Sequence, residues 1–257
     1  MRRVLAVCAA VLLAPNALAA QGGPPRGGGG MFVPDSLRNI RVLPRTMTPT
    51  EVVGMMRNIT GALGVRCQFC HVGEEGQPLS QFNFASDDKP TKLTARTMME
   101  MVQAINGQHL AQLTNRETPQ VDVTCNTCHR GVAVPRALAD LLMHTGTVAG
   151  VDSAARTYRA LRQQYYGRAS YDFGEATLIT VSGRLARDRR FDDAAAFARL
   201  NIEFFPQSSQ SQTNLGEVLR MRGDTTGAVA AYRQALQLNP NDQGARSRLR
   251  ELGIQQP

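Results

Sequence analysis

The sequence contains one five-residue pattern twice, as Cys67-Gln-Phe-Cys-His71 and as Cys125-Asn-Thr-Cys-His129. Both copies read Cys-x-x-Cys-His, the attachment pattern of c-type haem. Two cysteines at this spacing on a helical turn each form a thioether with one vinyl group, and the following histidine lies beneath the iron. The pattern therefore predicts two covalently bound haem c groups. Their attachment residues are Cys67, Cys70, Cys125 and Cys128, and their proximal iron ligands are His71 and His129.

Three other uses of paired cysteines fit the sequence less well. A zinc site made of four cysteines needs no histidine after each pair. Two redox-active Cys-x-x-Cys disulfides need none either, and a structural disulfide framework seldom repeats one spacing. Both histidines would be coincidental in each case, so the haem interpretation is favoured.

The first twenty residues have the three parts of a secretory signal peptide. A basic start precedes an apolar run over 4–13, which is too short to span a bilayer. Small residues follow, and we expect cleavage after Ala19 or Ala20. The N-terminus therefore predicts export to the periplasm. Removal of Cys8 with the signal leaves four cysteines, all of them in the two motifs.

The charge balance does not indicate a nucleic-acid partner. The formal net charge is +8, but the arginines are scattered and no basic run stands out. A nucleic-acid surface normally concentrates its positive charge on one face. Haem propionates also add negative charge that the formal count omits.

A helix is predicted before each motif. Thr48 is a suitable N-cap, Pro49 suits the first helical position, and Glu51 completes a capping box. Gly64 is placed to end this first helix in the left-handed conformation. The second helix is expected from about 88 to 107, with its apolar stripe on Leu93, Met98, Met101, Val102 and Ile105.

The sixth position of each iron decides the function. An axial methionine raises the potential and leaves no place for a substrate. Met56 lies on the apolar face of the first helix, eleven residues before Cys67. Met98 has the corresponding position in the second helix. We therefore predict Met56 and Met98 as the axial ligands opposite His71 and His129.

Alternative ligands remain open. Met55 and Met101 compete with the two chosen methionines, whereas Met99 projects off the apolar stripe and is not expected to bind. His109 and His144 are the other histidines. Either could give a bis-histidine haem of lower potential, although a surface histidine is the simpler interpretation of both.

A period of 34 residues marks the C-terminal part of the chain. Ala194 corresponds to Ala228, and Pro206 to Pro240. The second copy has the small residues of a tetratricopeptide repeat at the points where paired helices cross. We expect helices near 153–166 and 244–252 to complete the stack. No strand pattern stands out, so the predicted fold class is all-α.

Residues 47–135 resemble the cytochrome subunit of bacterial photosynthetic reaction centres. The resemblance rests on Leu63-Gly-Val-Arg-Cys-Gln-Phe-Cys-His71, Asp87-Asp-Lys-Pro-Thr-Lys92, Ala95-Arg-Thr-Met98, Asn106 and Val123-Thr-Cys-Asn-Thr-Cys-His-Arg-Gly131. It implies a methionine ligand from the preceding helix for each haem, here Met56 and Met98. Photosynthetic members carry four haems, and Gln112 stands where they place a histidine for a further haem. The resemblance therefore implies electron transfer without establishing a photosynthetic role.

These observations predict five segments. They are a signal peptide at 1–20, a Gly/Pro-rich linker at 21–34, a two-haem cytochrome domain at 35–144, a helical connector at 145–170, and tetratricopeptide-like repeats at 171–257.

The favoured function is a periplasmic electron carrier that exchanges electrons with other redox proteins, with the repeats docking a partner. No membrane span and no catalytic residue are expected. The alternatives are a two-haem peroxidase or small-molecule reductase with one open iron site, and a redox-sensing repeat scaffold.

Overall fold

The computed structural model describes residues 32–254, and the predicted signal peptide lies outside them. Most of the predicted linker lies outside them as well. Between residues 32 and 254 the chain forms ten α-helices, and its β structure is one isolated bridge between Val72 and Asn83. The all-α prediction is confirmed.

Helix α1, Pro49–Leu63, begins and ends as the sequence predicts. The Thr48 hydroxyl accepts from the Glu51 backbone at 3.3 Å, and the Glu51 carboxylate accepts from the Thr48 backbone at 2.7 Å. These bonds satisfy backbone donors that have no partner inside the helix. Gly64 ends α1 at φ 66°, a left-handed conformation that favours glycine.

Helix α2, Pro90–Ala104, differs from its prediction in two ways. The chain does not leave the helix at Gly107, because it continues as a π turn over Ile105–His109. Its predicted apolar stripe is largely exposed, with Met98 at 43% and Met101 at 46%. The buried side instead contains Lys92 and the half-buried Met99.

The two cysteine motifs adopt related short helical turns. The first is a 3₁₀ turn over Cys67–Phe69. The second is helix α3, Cys125–His129, which Thr124 caps and which ends at Arg130 with φ 49°. Each turn brings its two cysteines to the same side, as attachment to one haem requires.

Seven further helices form a stacked helical body. They are α4 Leu138–Val148, α5 Val151–Tyr165, α6 Glu175–Arg187, α7 Phe191–Phe204, α8 Ser209–Arg222, α9 Thr225–Leu238 and α10 Gln243–Glu251. The predicted helices near 153–166 and 244–252 correspond to α5 and α10. Residue 144, the predicted end of the cytochrome domain, lies inside α4.

Small residues allow the helices of this body to approach closely. Ala194 and Ala228, which are 34 positions apart, are both fully buried. Gly216 of α8 lies directly against the ring of Tyr232 on α9, since a Cβ at Gly216 would be 2.6 Å from that ring. The period seen in the sequence therefore marks the points of helix contact.

The helical body packs against the second cysteine motif. Ser170, in the loop after α5, donates a hydrogen bond to the Arg130 carbonyl at 2.5 Å. The next residue, Gly131, donates its backbone N–H to the Ala62 carbonyl of α1 at 2.8 Å.

None of the helices between residues 32 and 254 combines the length and apolarity needed to cross a bilayer.

Candidate haem sites

The first motif opens into the side of a large cavity. The cavity has a volume of about 440 Å³, within the roughly 300–1,000 Å³ range of small-molecule and cofactor pockets. Cys67, Cys70 and His71 line it together with Met56 of α1 and Met99 of α2. The structure thus brings both predicted attachment cysteines, the predicted proximal histidine and the predicted axial methionine to one cavity.

His71 is held as a neutral imidazole. Burial lowers its pKa from 6.5 to about 4, and the positive charge of Lys92 acts in the same direction. Its Nδ1 atom is buried without a hydrogen-bond partner in the described part of the chain. The ring of Phe84 packs edge-on against the imidazole at 4.9 Å between centroids. A neutral imidazole has the lone pair that iron coordination requires.

The start of α2 holds the first motif from outside. Lys89 Nζ donates to the Gln68 carbonyl, and Thr91 Oγ1 donates to the Phe69 carbonyl at 2.5 Å. Gln68 and Phe69 are the two residues between the predicted attachment cysteines. Burial raises the pKa of the Cys70 thiol above its usual value. These contacts fix the turn that presents the cysteines.

Asp87 joins three segments at the wall of the cavity. Its carboxylate accepts from Asn39 Nδ2 at 2.8 Å and forms ion pairs with Arg96 at 2.9 Å, Lys92 at 3.2 Å and Arg41 at 3.4 Å. The Arg96 guanidinium, followed by the Asn39 amide and the Lys92 ammonium, holds the pKa of Asp87 well below its usual range. The network fastens residues 39–41 over α2.

The second motif presents its histidine in a defined tautomer. His129 Nδ1 lies 3.0 Å from the Val132 carbonyl. A carbonyl only accepts, so Nδ1 carries the hydrogen, and in the neutral ring the lone pair lies on Nε2. This arrangement is typical of metal-bound histidines, whose second nitrogen donates to a backbone carbonyl. Cys125 is half-buried and Cys128 is exposed.

Asn106 fastens the segment that leads into the second motif. Its Nδ2 donates to the Val123 carbonyl at 2.8 Å, and its Oδ1 accepts from the Val123 backbone N–H at 2.8 Å. Asn106 lies in the π turn after α2. A π turn re-aims the residues that follow a helix and is frequent at functional sites.

The predicted axial methionines lie in different surroundings. Met56 lines the first cavity, and its neighbour Met55 is half-buried outside the lining. Met98 is exposed on the face of α2 that also contains Met101. The ligand assignments remain predictions. His109 and His144 are both exposed.

The sequence interpretation missed three parts of the first site. Met99, set aside because it lay off the apolar stripe, lines the cavity. Residues 36–43 form a wall of the same cavity. Lys89 and Lys92, the chain's two lysines, both donate to backbone carbonyls beside the motif. Their concentration within four residues of an otherwise lysine-free chain was a usable signal.

The residues present fit haem c at the first motif. The neutral His71, the two thiols and the Met56 thioether share a mostly apolar cavity of adequate size. At the second motif His129 fits, because its Nδ1 is engaged by the Val132 carbonyl and Nε2 is left for a ligand. In the described residues, no three His, Cys, Asp or Glu side chains are arranged to hold a metal ion by themselves.

Comparison with known proteins agrees with this geometry. Residues 35–155 match the family model of the photosynthetic reaction centre cytochrome c subunit. The predicted resemblance is confirmed. Residues 210–242, which cover α8 and α9, match the tetratricopeptide repeat. The reaction centre cytochrome match therefore contains both cysteine motifs and extends into α5.

Three curated relatives are similar to part of the chain. Cytochrome c-554 of Chloroflexus aurantiacus is 35% identical over 91 residues, which are 35% of this chain and 20% of that protein. The reaction centre cytochrome c subunit of Thermochromatium tepidum is 40% identical over 70 residues, 27% of this chain and 14% of the relative. That of Rubrivivax gelatinosus is 35% identical over 72 residues, with shares of 28% and 16%. The matched segment thus spans a fifth or less of each relative.

Proposed function

We propose that the chain is a periplasmic two-haem c-type cytochrome that transfers electrons between redox proteins. Haem c would be attached through Cys67 and Cys70 with His71 and Met56 as axial ligands. A second would be attached through Cys125 and Cys128 with His129 and Met98. The observation that carries the proposal is the first cavity, where Met56, both cysteines and the neutral His71 share one space.

The two sites would lie on different sides of α2. Ala95 and Met99 line the first cavity, whereas Met98 and Met101 lie exposed on another face. Successive residues of an α-helix point about 100° apart, because one turn takes 3.6 residues. The neighbouring residues Met98 and Met99 therefore lie on different faces of α2. A single wall between two haems would keep them close enough for electron exchange.

Bound haem supplies an iron that accepts and releases one electron without forming a new bond to a substrate. The protein's own residues do the rest. His71 and His129 would supply the nitrogen ligands, and thioether ligands favour the reduced iron. With His71 and Met56 on one iron and His129 and Met98 on the other, neither iron would be open to a small molecule. The proposed activity is accordingly that of a carrier and not of an enzyme.

The helical body is proposed as the docking module for a redox partner. Residues 210–242 match a repeat whose stacked helix pairs form extended binding surfaces. Ser170 joins this body to the second motif. A partner held by the repeats would therefore be bound to the same helical body that contacts the second motif. The periplasmic location rests on the predicted signal peptide at 1–20.

A redox titration of the mature protein with paired methionine variants tests the proposal. Met56→Leu and Met98→Leu remove sulfur while nearly conserving side-chain volume. Each is expected to abolish half of the weak near-infrared band that reports sulfur bound to ferric haem. Met55→Leu and Met101→Leu are the matched controls and should leave the band intact.

Other outcomes would overturn the proposal. Two bis-histidine signals in electron paramagnetic resonance would contradict methionine ligation. Prompt carbon monoxide binding by one haem of the untreated reduced protein would favour a peroxidase or reductase. Very slow electron exchange with every soluble partner would favour a redox-sensing scaffold.

A further inference from the structure

The backbones that flank the two cysteine motifs contact each other directly. Gly64 lies three residues before Cys67, and Gly131 lies two residues after His129. A Cβ added at Gly64 would be 2.1 Å from the Gly131 carbonyl oxygen. The Gly131 N–H also donates to the Ala62 carbonyl at 2.8 Å. We call this contact between Gly64 and Gly131 the glycine junction.

Both glycines have conformations that other residues avoid. Gly64 has φ 66° and Gly131 has φ 86°. Residues that have a Cβ atom are destabilised in this left-handed region, whereas glycine is not. Gly64 is required for a steric reason as well. A Cβ added there would overlap backbone atoms of Gly131, which cannot rotate away as a side chain can. A backbone contact of this kind leaves no side chain to absorb a displacement of either motif.

We propose that the glycine junction positions the two haems relative to each other. This inference rests on the proposed two-haem function. Helix α1 carries Met56 and leads into the first motif, while Gly131 lies two residues after the second. A shift at the junction would therefore move the first haem's ligand and attachment residues against those of the second haem.

The helical body braces the same point. Ser170 Oγ donates to the Arg130 carbonyl at 2.5 Å, one residue before Gly131. A Cβ at Gly131 would lie 3.6 Å from that oxygen, which is ordinary contact. The second motif is thus held on one side by α1 and on the other by the helical body. Gly64 and Gly131 act as positioning residues because neither touches a reacting atom.

Gly64→Ala tests the junction, and two other glycines are matched controls. Gly61, in the last turn of α1, has open space where a Cβ would be, so Gly61→Ala tests the effect of a methyl group nearby. Gly76 has φ 83° and open space, so Gly76→Ala tests backbone strain without overlap. All variants are made as mature full chains in a host that attaches haem c.

The decisive readout is the dipolar interaction between the two oxidised irons, measured by electron paramagnetic resonance. Gly64→Ala is expected to shift or broaden the distribution of inter-iron distances relative to the wild type. Mass spectrometry should still show two attached haems. Gly61→Ala and Gly76→Ala should keep the wild-type distance. A wild-type distance in Gly64→Ala would overturn the inference, since a merely stabilising contact changes the unfolding midpoint alone.

Two outcomes separate this inference from the proposed function. Absence of a second haem from the wild-type protein would defeat the proposed function itself. If Gly64→Ala yields no two-haem protein, amide hydrogen exchange at Gly131 in the unaltered protein decides the inference. Slow exchange in both oxidation states would support a persistent junction, and rapid exchange would overturn it.

Discussion

The side chain of Asn106 forms two hydrogen bonds with the backbone of Val123, both 2.8 Å long. One amide group thereby satisfies a donor and an acceptor of the segment that enters α3. The pair spans 17 positions in the chain and ties the end of α2 to the start of the second motif. The placement of His129, the proposed second proximal ligand, therefore depends on Asn106 in the π turn after α2.

Replacement of Asn106 should loosen the second site. Asn106→Ala leaves both backbone groups of Val123 without protein partners, which costs about 1–3 kcal/mol when such groups are shielded from water. We expect a lower urea midpoint and a changed near-infrared band at the second haem. Asn126→Ala is the control, because Asn126 lies exposed in the same motif. Equal midpoints for the two variants would contradict this prediction.

The Asp87 network predicts loss of stability in acid. Arg96, Asn39 and Lys92 hold the pKa of Asp87 below its usual 3.8, so the folded state binds its proton less readily than the unfolded chain. The resulting stability is present above about pH 4 and is lost as the pH falls towards the folded-state pKa. Asp87→Asn should remove this part of the pH dependence.

Urea unfolding from about pH 2 to pH 7 measures the effect, because the predicted loss lies mostly below pH 4. Asp88→Asn is the matched control, because the adjacent Asp88 is exposed. The slope of stability against pH should flatten in Asp87→Asn and remain in Asp88→Asn. An unchanged slope in Asp87→Asn would show that other carboxylates govern the acid response.

The neighbours Met98 and Met99 should affect different haems. Met99 lines the first cavity without being its predicted ligand. Met99→Leu is therefore expected to keep both sulfur-to-iron bands and to shift only the potential of the first haem. Met98→Leu should remove the band of the second haem and leave the first potential in place. Loss of a band in Met99→Leu would make Met99 a ligand and would displace Met56 or Met98 from that role.

Gly216→Ala should destabilise the helical body, because Gly216 lies directly against the Tyr232 ring. A Cβ at Gly216 would overlap the Tyr232 ring, whose hydroxyl donates to Glu217 at 2.9 Å. Overpacking of this kind costs about 1–3 kcal/mol. Gly183→Ala in α6 is the control, because its Cβ would meet only the tip of Arg187 at 3.7 Å. Thermal unfolding of the mature protein should show a lower midpoint for Gly216→Ala alone.

Local signals in the sequence were reliable where a few neighbouring residues decide the structure. Thr48, Pro49 and Glu51 predicted the start of α1, and Gly64 predicted its end. All of these contacts span six residues or fewer of backbone and depend on capping geometry. The 34-residue period likewise predicted the paired helices, because the small residues that recur are those at the helix crossings.

Contacts between distant residues could not be read from the sequence. The periodicity of α2 favoured Met98 and Met101 as its buried side, but the cavity faces Met99 and Lys92. The apolar stripe is exposed instead, and the proposed second haem would cover part of it. Residues 36–43, which form a wall of the cavity, show no periodic pattern in the sequence. Distant contacts to Asp87 hold them in place, and such contacts leave no local signal.

The central claim is that two haem groups are bonded to this chain through its four mature cysteines. The most direct measurement is intact mass spectrometry of the processed polypeptide, made in a host able to attach haem c. We predict the mass of the processed chain plus two haems, falling by one haem in a Cys67→Ala/Cys70→Ala variant and by the other in Cys125→Ala/Cys128→Ala. A wild-type mass with no added porphyrin would contradict the account.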